Sequence, residues 1–332
     1  MNSKRHILVL GAGSAGKRHA RNFRELGCQV SVFDPRQDRV DEAADEGPLT
    51  KGSTNLDEAL GAAEYDGFVI ASPPTFHVDQ ILAIRDRTTN WILSEKPLSF
   101  TAEEASRLEG QPNILLGYTY RWWPPLARYR ERLLGGEIGE VKHMRFIMSA
   151  HLADWHPWEP YQEFFMANKE QGGGALLDES HFIDLMLWFL GDPQKVYAQV
   201  EKISSLEISA DDNVDIIVSY ESGTRVNLHL DLIGRPHERS ISAMGEGGTL
   251  LYSYEENTIR FCNEGPANWQ VETFDCERND MFMGAAREFL GQIDESGDPL
   301  LTCTVEDGIA ALEIVDACRK SSETGQAVTL GQ

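Results

Sequence analysis

An apolar run, Ile7-Leu8-Val9-Leu10, ends directly on Gly11-Ala12-Gly13-Ser14-Ala15-Gly16, and no other stretch of the chain restricts its fold as much. A run without polar alternation suits a strand buried on both faces of a parallel sheet. The three glycines have separate uses. Gly11 permits a tight turn, Gly13 lets the backbone approach a diphosphate, and Gly16 lets a helix pack closely on the strand. Residues 17–26 read as that helix, stopped by Gly27. Its first turn carries unsatisfied N–H groups and partial positive charge, so Ser14 and Ala15 lie where an anion would be held. The glycine spacing alone is common by chance. It is narrowed by a second strand, residues 30–33, ending in Asp34, where an acid accepts from a ribose hydroxyl. A dinucleotide site made of Gly11, Gly13, Ser14, Ala15, Gly16 and Asp34 is expected. Asp34 favours NAD, because a carboxylate repels a 2′-phosphate. Arg36, two residues on, would offset that repulsion, so NADP stays open as the alternative.

Two further buried-strand runs follow. Residues 68–71 lead into Ser72-Pro73-Pro74-Thr75-Phe76-His77, and residues 91–94 lead into Glu95-Lys96-Pro97. Prolines hold turns at the carboxyl ends of strands, where open α/β sheets bind ligands. Ser72, Pro73, His77 and Glu95 are therefore expected around the cofactor, although His77 reads more readily as an ordinary polar start to the next helix. A lysine before proline is pushed out of helical geometry, so the Lys96 side chain is directed. Spacing alone leaves a solvated turn lysine as an equal reading.

After Gly117-Tyr118-Thr119-Tyr120-Arg121 the strand–helix rhythm breaks, and a second domain over residues 122–332 is expected beside a first over residues 1–121. Residues 126–134 read as a helix and 141–150 as a strand. An aromatic loop follows, Asp154-Trp155-His156-Pro157-Trp158-Glu159-Pro160-Tyr161. Its rings and carboxylates suit a polyol, or simply pin an irregular loop. Gly172-Gly173-Gly174 then precedes a helix expected over residues 175–190 and stopped by Gly191. Along it Asp178, His181 and Asp184 recur every three residues. A histidine with carboxylates on both sides, after glycines that let another molecule approach, suits acid–base work. Later strands (195–201, 215–220, 224–232, 240–244, 248–253, 258–262) mostly alternate apolar with polar. That is the mark of an antiparallel sheet with one covered face. Helices over 281–293 and 305–321 close the chain.

A chain of 332 residues fits two domains. A net charge of −23 argues against nucleic acid and anionic membrane as partners. Five cysteines, an odd number without CxxC spacing, fit reduced thiols in a cytoplasm and no zinc site. No signal peptide and no bilayer-length apolar run is visible.

These residues together resemble the glucose–fructose oxidoreductase / inositol dehydrogenase / rhizopine-catabolism family (Gfo/Idh/MocA). The resemblance runs from the glycine loop with His19, through Ala71-Ser72-Pro73-Pro74 with His77 and Glu95-Lys96-Pro97, to Tyr120-Arg121. It continues in Gly172-Gly173-Gly174-Ala175-Leu176-Leu177-Asp178, His181-Phe182-Ile183-Asp184 and Thr304-Val305-Glu306-Asp307-Gly308. It implies an N-terminal Rossmann domain and a C-terminal α/β domain with a large, mostly antiparallel open sheet, in dimers or tetramers. It implies hydride transfer between nicotinamide and a carbon of a sugar, cyclitol or sugar derivative. Lys96, His181 and Asp178 would be catalytic, and Tyr120, Arg121, Trp155 and Asp184 would meet substrate. A cis bond at or beside Lys96–Pro97 is implied as well. One departure matters: many members place the aspartate four residues before the histidine, whereas Asp178 lies three before His181, and Glu179 stands where glycine is usual. The Asp178-Glu179-Ser180-His181 form is similar to members acting in bacterial surface-sugar pathways. An NAD-dependent glycoside hydrolase or lyase using transient oxidation would use the same residues. A third alternative, a cofactor-sensing regulator without turnover, is opposed by the presence of both Lys96 and His181.

Overall fold

The computed structural model describes residues 4–155, 160–265, 268–298 and 300–331. The chain opens with β1 (His6–Leu10), α1 (Ser14–Glu25), β2 (Gln29–Phe33), α2 (Gln37–Asp45), β3 (Lys51–Ser53) and α3 (Leu56–Gly61). It goes on through β4 (Gly67–Ile70), α4 (His77–Arg85), β5 (Trp91–Glu95), α5 (Ala102–Ala105) and β6 (Ile114–Gly117). The six strands form one parallel sheet in the order β3-β2-β1-β4-β5-β6. The order reverses between β1 and β4, and open α/β sheets bind ligands at the carboxyl ends of strands at such a switch point. As the unbroken apolar run requires, Ile7, Leu8, Val9 and Leu10 are all buried.

The first compact unit spans Met1–Trp122 and also takes in Arg278–Ile309. That returning segment carries α9 (Asn279–Ile293), whose Ala286 and Phe289 are wholly buried in the same core as Ile7, Phe23 and Val69. Gly67 at the start of β4 makes room for it, since a Cβ there would stand 2.7 Å from the Phe289 ring. Glu288 accepts from Trp122 Nε1 at 2.8 Å and from the Thr302 backbone N–H at 2.9 Å, which ties the segment down.

The second unit, Trp123–Glu277 with Ala310–Gln332, holds α6 (Pro124–Leu134), β7 (Val141–Ser149), α7 (Ala175–Asp178), α8 (His181–Leu190), β8 (Lys195–Glu201), β9 (Asn213–Ser219) and β10 (Arg225–Asp231). It continues with β11 (Glu238–Gly245), β12 (Gly248–Ser253), β13 (Thr258–Cys262) and β14 (Gln270–Thr273). After α9 (Asn279–Ile293) come α10 (Val305–Thr324), whose first residues belong to the first unit, and β15 (Val328–Thr329). The nine strands run β14-β13-β12-β11-β7-β10-β9-β8-β15. Every pair is antiparallel except β7 with β10. The alternation read from the sequence fits: Val214, Ile216 and Val218 are buried on one face of β9, while Asp215 and Ile217 are exposed on the other. The covered face packs on helices, with Trp123 Nε1 donating to Tyr252 Oη and Ser321 Oγ accepting from the Ala198 backbone N–H.

Candidate active site

The glycine loop is built for an anion. Gly11 sits at φ +95°, and a Cβ there would lie 2.6 Å from the Ala71 and Ser72 backbone. Gly16 is packed still more tightly: its Cβ would stand 1.8 Å from Gly11 O. Gly13 differs, because nothing lies within 4 Å of the Cβ position. Open space thus faces the start of α1, whose first turn has no capping side chain and no acidic residue. Its unsatisfied N–H groups at Ser14, Ala15 and Gly16 have no internal competitor for a diphosphate. These residues fit NAD.

Asp34 leaves the end of β2 and accepts from the Ala12 N–H at 2.8 Å and from the Arg36 N–H at 3.0 Å. Its carboxylate is thereby anchored beside the loop with lone pairs remaining for hydroxyls. The Arg36 guanidinium does not turn back to it. It pairs with Asp38 through both Nε and Nη2. Ser72 leaves β4 and donates through Oγ to Gln80 Oε1 at 2.7 Å, and Pro73 and Pro74 hold the turn that opens α4.

His77 is placed differently from a cofactor contact. It is wholly buried, with Nδ1 2.8 Å from Pro97 O and Nε2 2.8 Å from Ser72 O. Desolvation lowers its pKa. Glu95, at the end of β5, faces His19 of α1, with Nε2 2.7 Å from Oε1. Burial raises the Glu95 carboxyl, but the His19 hydrogen bond and nearby positive charge bring it below the ordinary range. Lys96 follows, half-buried, and the Lys96–Pro97 peptide is cis. Tyr120 and Arg121 follow β6 on a short turn. The Arg121 guanidinium is buried, donates to Thr302 O at 2.8 Å and pairs with Asp307 at 3.1 Å. These two contacts, both within the first unit, fasten the 302–307 turn.

In the second unit the helix expected over 175–190 is broken. α7 ends at Asp178, Glu179 and Ser180 form a turn, and α8 starts at His181. Asp178 and His181 therefore stand on different helices, and their spacing is not that of one continuous turn. Asp184 shares α8 with His181 and is wholly buried, Asp178 is nearly so, and His181 is half-buried. The triple glycine is also explained internally. A Cβ on Gly173 would lie 2.4 Å from Phe165 O and Met166 O, and one on Gly174 would lie 2.3 Å from Asp211 Oδ1. Asp211 in turn accepts from the Leu176 N–H at 2.8 Å. The glycines admit the chain's own backbone and Asp211, where the sequence suggested room for another molecule.

Trp155 is half-buried, with its Nε1 meeting no acceptor among the described residues. Beside it Asp154 takes a bidentate pair from Arg235 at 2.6 and 2.8 Å, which holds the carboxyl below its usual range. Arg235 had no signal in the sequence, lying more than 80 residues away. His156, Pro157, Trp158 and Glu159 of the aromatic loop lie outside the described residues. No helix among the described residues is long and apolar enough to cross a membrane.

Comparison with known proteins agrees with this geometry. Residues 5–110 match the family model "Oxidoreductase family, NAD-binding Rossmann fold", and residues 130–330 match the same family's C-terminal alpha/beta domain. An inositol 2-dehydrogenase of Mycolicibacterium gilvum is 27% identical over 96% of this chain and 91% of its own length. A 1,5-anhydro-D-fructose reductase of Ensifer adhaerens is 24% identical over 92% of this chain and 91% of its own. A levoglucosan dehydrogenase solved with NADH shares the fold at a TM-score of 0.86, with 18% identity over 99% of this chain and all of that one. The two family models cover most of the sequence, and the chain belongs to the Gfo/Idh/MocA oxidoreductase family, with an NAD-binding Rossmann domain at its N-terminus.

Proposed function

We propose that the chain oxidises or reduces one carbon of a sugar, cyclitol or sugar derivative with NAD, using Lys96 and His181 as its acid–base groups. The observation that carries this is a lysine fixed at the carboxyl end of β5, in the unit whose glycine loop is left open for a diphosphate. The names of the full-length relatives, an inositol dehydrogenase and an anhydrofructose reductase, support the substrate class. Bound NAD supplies the nicotinamide that exchanges hydride with the carbinol carbon. The chain's own residues manage the proton. His181 takes it from the substrate hydroxyl, a task suited to an imidazole near neutral pH. Lys96 donates a hydrogen bond to the same oxygen and stabilises the developing alkoxide. Asp178 orients the imidazole or accepts from a neighbouring hydroxyl, and Tyr120 and Trp155 line the substrate, while Asp184 is wholly buried.

A preference for NAD over NADP is supported by Asp34, held beside the glycine loop where it would accept from a ribose hydroxyl, and by Asp38, which already neutralises Arg36. The exposed face of the second sheet is the surface through which copies would pair. Tyr197, Ile217, Asn227 and Arg145 lie in register and exposed across four of its strands. Free cysteines fit a cytoplasmic setting.

The test is NADH formation across a panel of sugars, cyclitols and sugar nucleotides. On the substrate found, Lys96→Ala and His181→Ala should each lower kcat on the order of 10²–10⁴-fold. Turnover within a few-fold of wild type in both variants would remove the assignment. Catalytic NAD with product but no net NADH would replace dehydrogenation by transient oxidation.

A further inference from the structure

Two buried histidines from different helices converge on the three-residue turn that carries Lys96. His19, on α1, is 2% exposed and meets the Glu95 carboxylate at 2.7 Å. A carboxylate only accepts, so Nε2 of His19 is the donor. On the neighbouring strand Gly117 is the register partner of Glu95, and a Cβ there would stand 3.0 Å from Ser94 O and 3.5 Å from Glu95 Oε2. Glu95 is thus enclosed by α1 on one side and by a bare backbone on the other. Across the lysine His77, on α4, reaches Pro97 O and Ser72 O, each at 2.8 Å. Both neighbours are carbonyls that only accept, so the neutral ring that burial favours donates to one of them at a time, and both bonds form together only when both ring nitrogens carry protons.

Burying such polar rings costs free energy unless hydrogen bonds offset it. Core filling alone would be met better by an apolar side chain. What distinguishes these histidines is where the bonds go: one to the residue before Lys96 and one to the residue after it. His77 also ties the turn to Ser72, so the loops leaving β4 and β5 are held at a fixed separation.

We propose that His19 and His77 are positioning residues that clamp the Glu95–Pro97 turn from α1 and α4 and hold the Lys96 ammonium in its working orientation. The proposal rests on the reading of Lys96 as the group that meets the substrate oxygen. Neither histidine touches the reacting atoms, so each acts through the lysine.

The experiment uses the full chain with His77→Leu and His77→Gln, each alone and combined with Lys96→Ala. It measures kcat, KM, the Kd for NADH by fluorescence, and the melting temperature. His77→Leu should lower kcat about 10–100-fold, the range for a misplaced catalytic group, while the Kd for NADH stays within about twofold. His77→Gln, whose amide N–H groups still donate, should recover part of the loss. On the Lys96→Ala background His77→Leu should lower kcat no further. A loss of the same factor with and without Lys96, or a parallel loss of NADH affinity, would overturn the clamp. If His77→Leu folds too poorly to assay, His19→Asn, too short to reach Glu95, must show the same split. Should Lys96→Ala turn over like wild type, the reading of the lysine fails and the clamp is judged on its own. In reductively methylated protein the Lys96 dimethylamino carbon signal must then sharpen in His77→Leu, and an unchanged signal would sink the clamp.

Discussion

Gly13 and Gly16 lie three residues apart in one loop, yet alanine should damage them in different ways. Gly13 has φ −69°, which any residue adopts, and nothing within 4 Å of its Cβ position. Gly13→Ala should therefore leave the fold nearly intact, costing under about 1 kcal/mol as a poorer helix cap. Its methyl occupies the space in front of α1, where a diphosphate must approach the backbone. A loss of NADH affinity of about 10–100-fold is expected, or roughly 1.4–2.8 kcal/mol. Gly16→Ala places its methyl 1.8 Å from Gly11 O and 2.8 Å from Gly11 C, and both atoms are backbone. Restoring ordinary contact needs α1 and β1 to part by more than 1 Å, an overpacking cost near the top of the usual range of about 1–3 kcal/mol. At roughly 2–4 °C per kcal/mol for a unit of this size, the melting temperature should fall on the order of 6–12 °C. Thermal melts with and without NADH, alongside a fluorescence titration, separate the two effects. Wild-type NADH affinity in Gly13→Ala would refute the location of the diphosphate, and a wild-type melt in Gly16→Ala would refute the packing.

The cofactor preference can be reversed at its two carboxylates. Asp34→Ser removes the repulsion of a 2′-phosphate and Asp38→Asn releases Arg36, so the pair should shift the NADPH-to-NADH Kd ratio at least about tenfold toward NADPH. An unmoved ratio contradicts the assignment of Asp34. On the second sheet the His229 ring lies between Asp231 and Asp215, whose hydrogen bonds raise it to about 9. Because the folded value lies above the ordinary ~6.5, this stabilisation is complete below about pH 6.5 and fades as pH rises through 9. The melting-temperature gap between wild type and His229→Gln should be widest near pH 6 and close by pH 10, and a gap that widens with pH contradicts the pairing. Gly173→Ala drives a methyl to 2.4 Å from two carbonyl oxygens, so it should lower the melting temperature without weakening NADH binding in the first unit.

Local pattern carried much of this molecule. Ile7–Leu10 and the glycines needed only steric reasoning, and Asp34 followed from the length of one strand–helix–strand unit. The alternation in β9 and β10 showed which face of the second sheet would be covered. What local pattern missed depends on groups far apart in the chain. Arg121 read as a substrate ligand, and local pattern gave no sign of its bonds to Thr302 and Asp307, which lie some 180 residues on. His77 offered two plausible positions from sequence, and only the carbonyls of Ser72 and Pro97 distinguish them. The helix through Asp178 and His181 has strong apolar spacing, but Glu179 and Ser180 break it, and propensity does not announce a turn inside an apolar segment. The triple glycine was legible as a need for space, and its occupants, Phe165, Met166 and Asp211, lie in other segments.

The return of α9 to the first unit sets an order on biosynthesis. Ala286 and Phe289 belong to a core whose strands were all translated before residue 118. While the ribosome makes the strands of the second sheet, the groove beside Phe23 and Gly67 stays unfilled, and the nascent Rossmann strands must wait with apolar surface exposed. The earliest sheet to emerge is the last to be sealed, so a nascent chain arrested before α9 should be the species that chaperones hold.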